Sequence, residues 1–356
     1  MRATAKLHES GQSLWLDNIS REMLDSGQLQ RYIDEYSVTG LTSNPSIFDK
    51  AIASGAYDGE IRRKAAEDPE ELFFELAIED LRRAADLFEP IHRRTGGVDG
   101  WVSLEVSPLL AYDASRTVQA AADLHARAGR ENLFIKIPGT QVGLAAIEES
   151  IFAGVPVNVT LLFSREQYLA AADAYMRGIE RRIAAGLDPD VDSIASVFMS
   201  RWDAAVLQRV PDDLRGRLAV AIGLKTYQAY RELMDSDRWQ RLANEGARIQ
   251  RLLWASTSTK DPESPDTLYV RRLNAPRTVN TMPESTLVAF HDHGAVDAPM
   301  PTDGGDGDTT LAEFEAAGVD VAALGARLQS DGAKSFTDSW NDLLKRIDDQ
   351  VAALRA

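Results

Sequence analysis

The chain has 356 residues, with 39 basic against 55 acidic side chains and a net charge of −16. A hydrophobic share of 44% excludes a mainly disordered chain, and the acidity excludes a protein that grips phosphate backbones over a broad surface. The absence of cysteine excludes disulfides, thiolate metal sites and thiol nucleophiles together.

In chain order, Met1 to Ser20 carry scattered charges and no apolar core, which is not a signal-peptide pattern. Short apolar runs rich in β-branched residues then predict strands near Leu14–Asp17, Val38–Ser43, Trp101–Ser107, Leu133–Pro138, Val155–Leu161, Ser193–Met199, Ile249–Ser256 and Thr278–Thr281. Between them, amphipathic patterns predict helices over Pro69–Arg94, Ala114–Ala128, Arg165–Ala185 and Lys225–Gly246. Strands alternating with helices indicate βα units on a parallel sheet, and this number of them suggests an α/β protein built as a closed (β/α)8 TIM barrel. Met300–Thr309 is the loosest stretch, and two helical patterns follow it. The last sets Phe336, Trp340, Leu343, Leu344, Ile347, Val351 and Leu354 on one apolar face. One domain over residues 1–356, with a helical extension from about 309, is the expectation. No apolar run approaches the roughly 18 residues a spanning helix needs, so a cytoplasmic protein with neither a membrane nor a nucleic-acid partner is expected.

Strand parity carries the functional signal, because alternate side chains point to opposite faces. In LFIKIP, Leu133, Ile135 and Ile137 share one face, while Phe134 and Lys136 share the other. In VSLEVS, Ser103, Glu105 and Ser107 oppose Val102, Leu104 and Val106. In VNVT, Asn158 and Thr160 oppose the valines, and in LWLD, Trp15 and Asp17 oppose the leucines. Each strand has one apolar face for covering helices and one face with polar groups near its C-terminal end, where barrels build active sites.

Of the eight lysines, Lys136 alone sits inside an apolar strand. Lysine is rarely buried unless paired, and a desolvated amine is freed to attack a carbonyl and form a Schiff base. Lys225, after AVAIGL and before a helical pattern, is its rival. Asp17 and Glu105 either neutralise Lys136 or divide the proton transfers that cleaving a C–C bond beside a hydroxyl requires. Asn158 and Thr160 could equally be satisfied core residues, and Asn44 a turn residue before Pro45. For an anion, Arg201 follows one strand, and Ser256 with Lys260 follows another. His291 and His293 lack a third metal ligand in register, and Asp303, Asp306 and Asp308 do not have the spacing of a calcium loop. Arg62–Arg63 and Arg93–Arg94 read as solvated helix faces. The chain has neither a P-loop nor a G-x-G-x-x-G motif for a nucleotide cofactor.

These residues lie in segments that resemble the transaldolase family, in its longer bacterial type that also occurs fused to a phosphoglucose isomerase. The segments are LWLDNISRE from Leu14, GLTSNPSIF from Gly40, VSLEVSPLLAYD from Val102, NLFIKIPGTQVG from Asn132 and VPVNVTLLFS from Val155. SVFMSRWD from Ser196, LLWASTSTKDP from Leu252 and TVNTMPESTL from Thr278 continue the series in family order. A chain of 356 residues leaves no room for a fused isomerase.

The resemblance implies a barrel enzyme without cofactor or metal, working in the pentose phosphate pathway as monomer or homodimer. Its partners would be sugar phosphates: a dihydroxyacetone unit passes from sedoheptulose 7-phosphate to glyceraldehyde 3-phosphate, giving erythrose 4-phosphate and fructose 6-phosphate. By motif, Lys136 would be the Schiff-base lysine and Asp17 the acid/base for C3–C4 cleavage. Glu105 with Thr160 would hold the water that relays protons. Asn44 and Asn158 would bind donor hydroxyls, Ser196 would contact the retained three-carbon unit, and Arg201 and Ser256 would bind phosphate. Shorter family members carry a second phosphate-binding Arg where this chain has Ser258, and Lys260 would supply that charge. Met199 and Ser200 stand where Val-Gly is commoner, which bears on the reach of Arg201. Two other functions compete. A fructose 6-phosphate aldolase of the same superfamily would carry Gln at Glu105 and Tyr at Phe198, and a non-catalytic barrel would lack Lys136 or its carboxylates.

Overall fold

The computed structural model describes residues 1–64 and 68–355, the last two by backbone alone. Eight parallel strands form one sheet: β1 (Ser13–Asp17), β2 (Val38–Thr42), β3 (Val102–Glu105), β4 (Leu133–Pro138), β5 (Val157–Leu162), β6 (Ser193–Phe198), β7 (Arg251–Ala255) and β8 (Val279–Met282). Neighbours follow chain order, with β8 beside β1. A bridge between Gly40 and Trp101 brings β2 against β3 and closes the (β/α)8 barrel, through Leu41 N–H to the Trp101 carbonyl at 2.9 Å and Gly100 N–H to the Thr39 carbonyl at 2.8 Å.

Parity sorts β1, β3, β4 and β5 as their sequences predict. Leu133, Ile135 and Ile137 are wholly buried under the covering helices, whereas Phe134 turns inward to stack on Trp101 at 3.9 Å and approach Trp15 at 6.4 Å. These aromatic rings floor the barrel. Beneath them Asp99 accepts from Trp15 Nε1 at 3.0 Å and from the Ser13 hydroxyl at 2.5 Å, and Arg251 closes the end at 3.3 Å. Gly40 is required there: a Cβ would stand 2.7 Å from both the Trp101 carbonyl and the Trp15 ring. The aromatic floor separates this polar cluster from the polar inward groups at the C-terminal mouth.

The helices Pro69–Arg94 and Ala114–Ala128 begin at Asp68 and Asp113, whose carboxylates accept from the first-turn amides. The third predicted helix is Arg165–Ala184. The fourth is corrected: it is two helices, Leu218–Asp235 and Asp237–Asn244, because Ser236 is extended and caps the second. The run AVAIGL is itself helical, so Lys225 lies within a helix rather than before one. Its amine meets Asp308 at 2.8 Å and Gln228 at 2.7 Å, outside the barrel. Asp308 is therefore ion-paired in the helix Gly307–Ala316 rather than free in a solvated turn. His291 stacks on Tyr36 and bonds Thr4 at 3.0 Å, and His293 faces Asp266 at 3.1 Å.

The terminal helix Val321–Arg355 runs over the barrel mouth. Its apolar face buries Phe336, Trp340, Leu343 and Ile347, with Trp340 edge-on to Phe73 at 4.9 Å, and Arg346 pairs with Asp49 at 2.5 Å. The Leu354 side chain lies outside the described residues. Among those described, no helix is long and apolar enough to cross a membrane.

Candidate active site

A cavity of about 150 Å3 opens at the C-terminal mouth, between the barrel and the terminal helix. Of the predicted site residues, Asp17, Asn44, Lys136, Thr160, Ser196, Phe198, Arg201, Ser256 and Lys260 line it. Glu105 and Asn158 stand behind this lining, beside Lys136 in the sheet register: Glu105 pairs with Lys136 across β3–β4, and Lys136 with Asn158 across β4–β5.

Lys136 is 5% exposed. Its amine donates to the Ser43 carbonyl at 2.9 Å and faces Glu105 at 3.2 Å. Glu105 Oε2 is held by this ion pair alone, while Glu105 Oε1 and the buried Thr160 hydroxyl have no hydrogen-bond partner among the described residues. Burial raises the Glu105 carboxyl above its usual range, opposed by the Lys136 charge and reinforced by Asp17. At the end of β1, burial likewise raises Asp17, against the Lys136 charge, a 2.8 Å hydrogen bond from Thr42 and the Lys260 charge. One amine thus sits among two carboxyls that burial holds above their ordinary range, an arrangement that suits proton exchange.

The wall behind Lys136 is rigid. Asn158 is wholly buried, donating to the Ser103 hydroxyl at 3.1 Å and accepting from Ser196 at 2.7 Å. Asn44 caps a helix at the cavity edge. Its oxygen caps the helix Pro45–Ala53, accepting from Ile47 N–H at 3.2 Å and Ser46 at 2.7 Å, while the residue borders the cavity.

Cations gather on the opposite side. Arg201 has no ion pair or hydrogen bond among the described residues, and its guanidinium lies 5.1 Å from the Phe198 ring centre and 6.0 Å from that of Phe336. Burial lowers its pKa; burial also lowers that of Lys260, and the Arg201 charge adds to the effect. The Lys260 amine donates to Ser258 at 3.0 Å. Two neighbouring cations, neither in an ion pair among the described residues and one lowered by the other's charge, form a place for an anion. Met199 and Ser200 do not carry Arg201 away, because Ser200 N–H bonds the Ser256 carbonyl and the two hydroxyls meet at 3.0 Å.

Backbone strain also collects here. Among the described residues, two of the four non-glycine residues with positive φ are Ser256, in the cavity wall, and Leu161, directly after Thr160.

Sequence reasoning missed Thr42, Ser46, Thr281, Pro283 and Phe336 as lining residues. Parity would have found Thr42, which shares a face with Gly40, and Thr281, whose hydroxyl meets that of Thr42 at 2.8 Å. Phe336 had no local signal, because its place depends on where a distant helix lies.

A family model described as Transaldolase/Fructose-6-phosphate aldolase matches residues 14–347. The chain is 45% identical to a protein named transaldolase from Parafrankia sp. (strain EAN1pec), over 98% of this chain and 97% of that one. It is 45% identical to a transaldolase from Thermobifida fusca (strain YX), over 98% of each chain. A transaldolase from Neisseria gonorrhoeae is 44% identical, over 94% of this chain and 96% of its own length.

Proposed function

The chain belongs to the transaldolase/fructose-6-phosphate aldolase family and its activity is that of a transaldolase, a transferase; from that premise we propose that it carries a dihydroxyacetone unit between sugar phosphates on Lys136. The donor is sedoheptulose 7-phosphate and the acceptor glyceraldehyde 3-phosphate, in the cytoplasm. The observation that carries the reading is the Lys136 amine, buried between Glu105 and Asp17 yet open to the cavity.

The Lys136 nitrogen adds to the C2 carbonyl of the donor and, with loss of water, becomes an iminium. Glu105, with the Thr160 hydroxyl, holds the water that shuttles protons in imine formation and hydrolysis, which gives their unpartnered oxygens a use. Asp17 takes the C4 hydroxyl proton as the C3–C4 bond breaks. The bonding electrons pass into the iminium, leaving an enamine on Lys136 and an aldehyde that departs. The enamine carbon then attacks the acceptor aldehyde, Asp17 returns the proton, and water releases the product ketose. Asn44, Asn158 and Ser196 orient hydroxyls, and Arg201, Ser256 and Lys260 hold the phosphate. Aromatic cover from Phe198 and Phe336 limits the protonation that would end transfer as simple lysis.

The test is borohydride trapping with fructose 6-phosphate, followed by peptide mapping and by turnover with and without an acceptor aldehyde. A three-carbon adduct on Lys136 and turnover that needs the acceptor are the expected results. Free dihydroxyacetone without acceptor would make it an aldolase, and no adduct would sink the mechanism. The phosphate reading has its own check. Arg201→Ala is expected to raise KM for fructose 6-phosphate about a hundredfold, with turnover of unphosphorylated fructose nearly unchanged. Equal losses with both sugars would remove Arg201 from that role.

A further inference from the structure

The terminal helix reaches the reacting strands directly, through one amide. Gln329 Nε2 donates to the Gly139 carbonyl at 2.9 Å and to the Leu161 carbonyl at 3.0 Å. Gly139 follows the end of β4, the strand of Lys136, and Leu161 lies in β5 directly after Thr160.

The backbone held there is irregular. The β5–β6 register shifts between Val159 and Leu162, and Leu161 in that gap has φ 59°. A branched residue in the left-handed region is strained and persists only when its surroundings over-determine it. Such a bulge re-aims neighbouring side chains. Gly139 N–H bonds the Thr160 carbonyl at 2.7 Å, and a Cβ on Gly139 would stand 2.4 Å from Leu162. The two strand ends therefore meet closely at Thr160, and Gln329 ties the next carbonyl along. The helix comes near enough because Gly325 and Gly332 share the Gln329 face; a Cβ on Gly332 would stand 3.1 Å from Leu161.

We infer that Gln329 is a positioning residue: its amide clamps the ends of β4 and β5 so that the Thr160 hydroxyl stays aimed beside the Lys136 amine. The inference rests on the Schiff-base reading and adds that the terminal helix sets the rate of the water-handling steps. Phosphate affinity should not depend on the Gln329 amide, because Arg201 is carried by the helix Ser200–Val206 and meets the terminal helix at Phe336 rather than at Gln329.

The variants Gln329→Glu and Gln329→Met keep the size of the side chain and remove both donors, whereas Gln329→Lys keeps N–H donors on a flexible side chain one bond longer. The readout is the single-turnover rate of the borohydride-trapped adduct from fructose 6-phosphate, per active site titrated by complete trapping, alongside KM. Q329E and Q329M are expected to form adduct about ten- to a hundredfold more slowly at unchanged KM and full active fraction, with most of the rate restored in Q329K. Adduct formation at the wild-type rate per site in Q329E or Q329M would overturn the inference, including where only the active fraction falls. A wild-type protein that forms no adduct would overturn the Schiff-base reading and this inference with it. A wild-type adduct matched by an equal Q329E rate would overturn this inference alone.

Discussion

Replacing Lys136 with arginine or methionine is expected to lower transfer by at least about 10^4-fold and to abolish the borohydride-stable mass gain with fructose 6-phosphate. The two variants separate charge from nucleophilicity. Arginine keeps a cation for the Ser43 carbonyl and Glu105, which Lys136 meets at 2.9 and 3.2 Å, but a guanidinium stays protonated and cannot attack a carbonyl. Methionine removes the charge as well. The Lys136 cation is the largest influence opposing the rise of the Glu105 and Asp17 carboxyls, so its loss should drive both further upward. K136R should therefore fold well and fail at chemistry, whereas K136M should also disturb the carboxyl pair. Intact mass after trapping and steady-state transfer check the pair together. K136R turnover within tenfold of wild type would move the nucleophile elsewhere. Among the described residues the other buried lysine is Lys225, which is committed to Asp308 and Gln228 outside the barrel.

The interior of the barrel was legible because alternation along a strand is a backbone property, independent of what the strand packs against. Lys136, Glu105, Asp17, Asn158 and Thr160 all follow from it. The bounds of Pro69–Arg94 were legible for a similar local reason, since Asp68 and Pro69 mark a helix start. AVAIGL, which precedes the predicted start at Lys225, carries no such mark, because a short apolar run reads alike as a buried strand or a buried helix face. Parity placed Asn158 inward but could not say that Ser103 and Ser196 would occupy its amide. Phe336 and Gln329 were out of reach altogether. Their sequence marks them as one apolar and one polar position on a helix. That they meet Phe198 and Leu161 depends on packing across more than 130 positions of chain.

The Asp17→Asn variant is expected to retain the trapped adduct while losing transfer by about 10^2–10^4-fold, the usual worth of a positioned acid or base. Imine formation belongs to Lys136 with Glu105 and Thr160, whereas C–C cleavage needs a base at the departing hydroxyl, so the two halves of the cycle should part in this variant. The electrostatics suit that step. Burial raises the Asp17 carboxyl and the Lys136 cation holds it down. When the C–C bond breaks, the iminium becomes a neutral enamine and that cation disappears, so the proton affinity of Asp17 rises as the proton arrives. The resting carboxylate must be ionised to act, so transfer should fall as pH drops through a value above the ordinary aspartate range. Removing the hydrogen bond from Thr42, which lowers Asp17, should move this acid limb further up in Thr42→Val. A D17N enzyme that transfers within tenfold of wild type, or a T42V profile with an unmoved acid limb, would take the cleavage step away from Asp17.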